Sequence, residues 1–229
     1  MSQDSEEVTM ASAYTLEERA AVYRSIAERR DVRRGFLPVP LPQELIDRLL
    51  AAAHSAPSVG LMQPTRFIVV RSRETRTKVH QAFVEANQQA ARVYTGARLD
   101  AYSSLKLEGI LEAPQNLCVV CEAQSTQGHG LGRQSMPETA IYSTVCAIQN
   151  LWLAARAEGV GVGWVSIVSP DALRSILDIP AEVTLVAYLC LGYVDGFGDT
   201  PELERQGWER RKALCDVVSY ERYEAREQS

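Results

Sequence analysis

Helix-period and strand-type blocks of apolar residues alternate along this chain. Thr15-Leu16-Glu17-Glu18 reads as a capping box, in which hydroxyl and carboxylate satisfy each other's orphan amides. It predicts a helix to about residue 29, with Ala20, Ala21, Tyr23 and Ile26 on the packed side. Residues 30–40 read as extended. Pro42 suits the first turn of a second helix, whose buried face is Leu45, Leu49, Leu50 and Ala53. A strand is predicted at 66–70 from its β-favouring content, followed by two polar helices at 74–94 and 99–112. The unbroken apolar run 117–121 predicts a strand covered on both faces.

Residues 124–134 hold three glycines and read as a loop. Pro137 then opens the most hydrophobic helix, where Ile141, Val145, Ile148, Leu151, Trp152 and Ala155 recur near helical period. Such a helix suits a core or a subunit interface. Strands at 161–168 and 185–193 flank a short helix at 171–177. After Asp195 the chain is polar and irregular for some thirty residues, too long for an ordinary loop. Strands separated by helices predict a layered α/β sandwich.

Composition narrows the setting. The chain has 229 residues, 46% hydrophobic and 23% charged, with a formal net charge of -5. The acidic balance argues against nucleic acid. The polar, acidic N-terminus is not a signal peptide, and no apolar run is long enough for a membrane span. The expected location is the cytoplasm. Five scattered cysteines fit reduced, mostly buried thiols better than a disulfide framework.

Several motifs lead nowhere on spacing alone. Cys118 and Cys121 lie three apart on a strand, so they face opposite sides and share neither a metal nor a disulfide. The glycine runs 128–132 and 159–163 lack G-x-G-x-x-G spacing at a strand-to-helix junction. His54, His80 and His129 stand apart from any nucleophile. Ser166 is a hydroxyl within a strand expected to be buried, where it would need a partner.

Two basic clusters stand out: Arg29-Arg30-Asp31-Val32-Arg33-Arg34, and Arg205 with Arg210-Arg211-Lys212. On an acidic chain such patches suit a small anion, because guanidinium forks give phosphate paired donors and a fixed charge. Asp31 is out of place there. Its plain role is a counter-charge; any other has to come from chemistry. The turn 56–64, small and proline-bounded, suits close approach to a flat ligand.

Arg29-Arg30-Asp31-Val32-Arg33, Ala56-Pro57-Ser58 with Gln63-Pro64, the glycine-rich strand reaching Ser166, and Arg210-Arg211-Lys212 come in an order that resembles the flavin-dependent nitroreductase superfamily, over about residues 15–220. The segments Arg29-Arg30-Asp31-Val32-Arg33, 57–64, Lys106-Leu107-Glu108-Gly109-Ile110, 147–159 and Gly163-Trp164-Val165-Ser166 are together similar to the 5,6-dimethylbenzimidazole synthases of that superfamily. Ordinary nitroreductases usually carry serine at Asp31, asparagine at Leu61 and tryptophan at Thr65.

The resemblance implies a nitroreductase-like α/β (α+β) three-layer sandwich with helices around a central mixed sheet, in a domain-swapped homodimer. Residues 1–13 would be a disordered N-terminus, 14–194 the FMN-binding domain, and 195–229 an extension wrapping the partner. It implies that Arg29, Arg30, Asp31, Val32, Arg33, Leu107, Ser166, Arg210 and Arg211 contact FMN, with Ser58 and Gly60 arriving from the other subunit. Reduced FMN would be substrate, supplied by a separate flavin reductase and cleaved with molecular oxygen, without a metal, to give the lower ligand of cobalamin and a sugar phosphate. Asp31 would accept protons from the ribityl chain, and Ser166 would hold the reacting geometry. The alternatives are a nitroreductase or reductive dehalogenase that keeps FMN, and a non-catalytic flavin-binding protein.

Overall fold

A computed structural model describes residues 13–224. The disorder expected over 1–13 falls outside them, apart from Ala13. The described residues form α1 (Leu16–Glu28), α2 (Gln43–His54), β1 (Thr65–Val70), α3 (Arg73–Ala91), α4 (Gly96–Ser104), β2 (Gln115–Cys121), α5 (Thr139–Ala157), β3 (Val160–Val165), α6 (Pro170–Leu177), β4 (Thr184–Tyr193) and α7 (Glu202–Arg205). Among them no helix is long and apolar enough to cross a membrane.

The sheet order is β1-β2-β4-β3, and every neighbouring pair is antiparallel. The mixed sheet expected from the resemblance is therefore corrected. The cause is topological. The crossover through α5 leaves β2 and β3 running the same way, and β4 inserts between them in the opposite sense. The one parallel pairing among the described residues is an isolated bridge from Asp31 to Val162.

Period-two alternation sends side chains to two separate cores. Leu117, Val119, Leu189 and Leu191 pack with Leu45 and Leu49 of α2 and Ile148 and Leu151 of α5. Cys118, Val120, Tyr188 and Cys190 pack with Val79 and Phe83 of α3 and Leu173 of α6. All seven residues of β2 are buried, as its continuous apolarity predicts. Each fully buried aliphatic side chain contributes about 1.5–3 kcal/mol, so the two cores hold the sheet between helical layers. Burial also pushes the Cys118 thiol up to about 12, which makes it a packing residue.

Three expectations change. The capping box of α1 is present, with Thr15 and Glu18 exchanging bonds of 2.7 and 3.2 Å. Yet α1 buries nothing: Tyr23 is 70% and Ile26 48% exposed. The helix is tethered to α5 by the Ser25 hydroxyl, which donates to the Leu153 carbonyl at 2.8 Å, and by the Arg156–Glu28 ion pair. The helix expected at 99–112 stops at Ser104. Beyond it the buried Glu108 carboxylate accepts the Ile110 N–H and the Lys106 ammonium, both at 2.6 Å, and so competes with helical bonding. Third, β3 ends at Val165, so Ser166 lies just past the strand and is exposed. The apolar α5 puts one face in the core and leaves Tyr142 and Val145 exposed on another.

Candidate functional site

The segment 31–36 runs across the glycine-bearing face of the sheet. A Cβ on Gly163 would collide with the Val32 carbonyl oxygen and sit 3.1 Å from its carbonyl carbon; one on Gly161 would meet Val32 and Val194. The 159–163 run, uninformative as a nucleotide loop, is thus a track that admits another stretch of backbone. Val32 N–H donates to the Val162 carbonyl at 3.0 Å. Buried in this way, Val32 fixes the spacing between Asp31 and Arg33.

Asp31 is pinned on both oxygens. Its Oδ1 accepts the Trp164 N–H at 2.9 Å, and its Oδ2 pairs with Arg33 Nη2 at 2.5 Å. The carboxylate remains about a third exposed, at 30%, so it is held in place and still accessible. Trp152 of α5 supports the preceding residues. Its indole N–H donates to the Arg30 carbonyl at 3.2 Å, and the Arg29 guanidinium lies 4.8 Å from its ring centroid.

The two basic clusters, some 170 residues apart in sequence, meet. Arg29, Arg30, Arg33 and Arg211 line a cavity of about 150 Å³ with Asp31 and Glu202. Four guanidiniums there face two carboxylates, a surplus of two positive charges. The carboxylates are already engaged: Asp31 with Arg33, and Glu202 with Arg34 at 2.8 Å and Arg205 at 3.0 Å. Arg30 is spent on the carbonyls of Ala27, Arg29 and Asp199. Among the described residues Arg29 and Arg211 form no ion pair. Burial lowers the Arg29 guanidinium from its ordinary value and Asp31 raises it, while Arg30 and Arg211 push it down further. A phosphate monoester, carrying about -1.5 to -2 at neutral pH, matches that surplus.

The turn after α2 is a second constructed element. Gly60, Leu61 and Gln63 have φ of 53°, 54° and 46°, a left-handed region costly for the two non-glycines. It is held by Val59 N–H to Ser143 Oγ at 3.0 Å, Gln63 N–H to Ser58 Oγ at 3.1 Å, and Gln127 Nε2 to the Leu61 carbonyl at 3.0 Å. The glycine loop 128–132 braces it from outside. A Cβ on Gly128 would strike the Gly60 carbonyl. Gly128→Ala is expected to lose about 2–4 kcal/mol, from backbone overpacking and a positive φ together. Gly130 has a similar φ but nothing within 4 Å of a Cβ, so Gly130→Ala should lose only about 1–2 kcal/mol. Equal shifts in urea midpoint for the two variants would contradict this.

Of the predicted site residues, Arg29, Arg30, Asp31, Arg33 and Arg211 share the cavity, and Ser166 lies two residues beyond the Trp164 amide that holds Asp31. Arg210 is exposed and does not line the cavity. Leu107 packs on the core beside α3 and α6. Ser58 and Gly60 precede β1, at the opposite sheet edge from β3 and the Asp31 bridge. Three strand spacings, about 14 Å, separate those edges. Glu202 and Trp208 escaped the sequence reading; a Pro-Glu-Leu helix start and a Gly-Trp pair within the irregular tail were the available signals.

The nitroreductase family model matches residues 26–193. A 5,6-dimethylbenzimidazole synthase of Rhodospirillum rubrum is 50% identical over 184 residues, covering 80% of this chain and 87% of the relative. One from Rhodobacter capsulatus is 44% identical over 191 residues, covering 83% and 92%. Among solved structures, an iodotyrosine deiodinase bound to FMN and 3-iodo-L-tyrosine superposes with TM-score 0.70 at 21% identity, covering 88% of this chain and all of that one. An NADPH:FMN oxidoreductase from Vibrio harveyi gives 0.65 at 20% identity, covering 90% and 80%.

Proposed function

The chain belongs to the nitroreductase family and, within it, to the 5,6-dimethylbenzimidazole synthases, and from that premise we propose that it fragments reduced FMN with molecular oxygen, yielding 5,6-dimethylbenzimidazole, the lower ligand of cobalamin, and a sugar phosphate. The observation that carries the reading is Asp31. An accessible carboxylate, fixed by the Trp164 amide and Arg33, forms the wall of a cavity with surplus positive charge. In a site that merely retains FMN this carboxylate would serve only as a counter-charge for Arg33, a role that does not require it to stay accessible.

Bound reduced FMN supplies the electrons for dioxygen and the carbon of the product. Arg29 and Arg211 hold its phosphate, Arg33 and Arg30 complete the positive wall, and Arg210 adds charge from outside. Asp31 accepts protons from the ribityl chain, and the Ser166 hydroxyl orients that chain. The turn bearing Ser58 and Gly60 reaches the flavin from the second subunit of a homodimer, a reading supported by its position at the far sheet edge. The exposed apolar residues of α1 and α5 would line that dimer, and of the extension expected to wrap the partner only the described residues beyond Arg211 would be free to do so. Leu107 acts from behind, through the core. A separate cytoplasmic reductase delivers the reduced flavin, and no metal is required.

The test is the purified protein mixed with chemically reduced FMN in air. Dimethylbenzimidazole should form in proportion to FMN consumed, quantified by liquid chromatography and mass spectrometry. Flavin returned intact, whether with turnover of reduced nicotinamide, release of halide, or no reaction at all, would overturn the proposal.

A further inference from the structure

Most of the described residues after β4 are exposed, but Trp208 is docked. The short helix α7 ends at Arg205, and Gly207 follows with φ of 70°. The Gly207 N–H donates to the Glu204 carbonyl at 3.0 Å, and the Trp208 N–H to the Leu203 carbonyl at 2.8 Å. This is the paired closure of a Schellman motif, which needs a residue tolerant of the left-handed region at its turn. The Gln-Gly-Trp sequence therefore does more than stop a helix; it sets the direction in which Trp208 leaves.

The indole lands in a cradle formed by α4 and the turn that precedes it. Its ring meets Tyr94 edge-on at 5.5 Å and 84° and lies 6.1 Å from Tyr102. Tyr94 and Tyr102 stack at 4.8 Å, and the Tyr102 hydroxyl donates to Asn87 Oδ1 at 2.6 Å. Arg98 shares a face of α4 with Tyr102, four residues on. Its guanidinium sits 3.7 Å from the Trp208 ring centroid and donates to the Trp208 carbonyl at 3.2 Å. Ring, carbonyl and amide of one residue are all fixed, in a segment where little else is.

The residues on either side of Trp208 belong to the arginine cavity. Glu202 and Leu203 line it upstream, and Arg211 lines it three residues downstream. Among the described residues Arg211 forms no ion pair, and it and its neighbours 209 and 210 are exposed, so the docked Trp208 is the fixed point nearest to it along this segment. We infer that Trp208 is a positioning residue: docked on the Tyr94–Arg98–Tyr102 cradle, it presents Arg211 to Arg29, so that the phosphate clasp closes within a single subunit. The inference rests on reading the cavity as the flavin-phosphate site. It also places the start of any exchange with a partner beyond Arg211.

A double-mutant cycle on oxidised FMN tests it, with riboflavin as the phosphate-free comparator and binding followed by flavin fluorescence quenching. Trp208→Ala is expected to weaken FMN roughly tenfold, the size of one lost charge-assisted contact, and to leave riboflavin within about twofold. Arg211→Ala should do the same. The double variant should bind FMN no more weakly than Arg211→Ala alone, because the first change acts through the second. Trp208→Phe should recover most of the affinity. Should Trp208→Ala fail to fold, Arg98→Met, which removes the cation and the bond to the Trp208 carbonyl, takes its place in the cycle. Additive losses, equal losses for FMN and riboflavin, or a wild-type protein that binds both flavins alike would overturn the assignment. Oxidised FMN is not consumed, so failure here leaves the synthase reading standing. A failed synthase assay likewise leaves the clasp intact.

Discussion

Gly163→Ala is expected to abolish product formation and to cost about 3–5 kcal/mol of stability. The added methyl would occupy the space of the Val32 carbonyl oxygen, and its other neighbour, the Val32 carbonyl carbon at 3.1 Å, is backbone as well. Neither yields as a flexible side chain would, so the segment 31–33 has to lift from β3. Two bonds go with it: Val32 N–H to Val162, and the Trp164 N–H to the Asp31 carboxylate. Overpacking costs about 1–3 kcal/mol. The bond to a carboxylate adds about 1.5–3 kcal/mol and the neutral one about 1 kcal/mol, and part of this is recovered as the segment finds water. Gly196 is the control, since a Cβ there meets nothing within 4 Å and its φ is not positive. Gly196→Ala should stay within about 0.5 kcal/mol of the parent. Denaturant midpoints together with the dimethylbenzimidazole assay decide the matter; a Gly163→Ala protein with parental midpoint and activity would show that the track does not position Asp31.

That glycine marks the boundary of what the sequence made legible. Local signals transferred well. The Thr15–Glu18 capping box, the both-faces burial of β2 and the punctuation around α2 are set by residues within a few positions of one another. Both arginine clusters were visible because charge on an acidic chain is conspicuous. Most of what failed depends on partners distant in sequence. Gly163 looked like half of a poor nucleotide motif because its purpose is Val32, more than a hundred residues earlier. Ser166 read as strand interior because the run stays apolar past Val165, while the sheet pairing stops there. The helix at 99–112 looked continuous because its charges suited one. Glu108, however, turns inward to bond the Ile110 amide, and Gly109 and Pro114 were the local hints that it would. The mixed sheet was an expectation about neighbours in space, and β4 inserting between β2 and β3 is a global choice with no local signature.

The tail shows the same limit. Arg210 and Arg211 are adjacent and chemically alike, and only the direction set by Gly207 and Trp208 decides which one lines the cavity. The selection is geometric, so a cluster legible as composition was not legible as individual roles.

Asp31→Asn should separate binding from chemistry more cleanly than any other change. The amide keeps an oxygen where Oδ1 accepts the Trp164 N–H, so the backbone segment stays on its track. It replaces Oδ2 with a donor facing Arg33, which ends the ion pair and frees that guanidinium. The surplus of positive charge at the cavity rises from two to three. FMN should therefore bind as well as before or somewhat more tightly, and the effect should fade for riboflavin, which carries no phosphate. The variant has no proton acceptor at that position, and general-base contributions of roughly 10²–10⁴ set the expected loss of dimethylbenzimidazole formation. Asp31→Ser, the residue of ordinary nitroreductases, should likewise bind flavin and make no product. Asp31→Glu keeps the charge but moves the oxygens by one methylene, so partial activity is expected from it alone. Product formed at the parental rate by Asp31→Asn would reduce Asp31 to a structural counter-charge for Arg33, and the chemistry would then have to come from elsewhere, with Ser166 the next residue to replace.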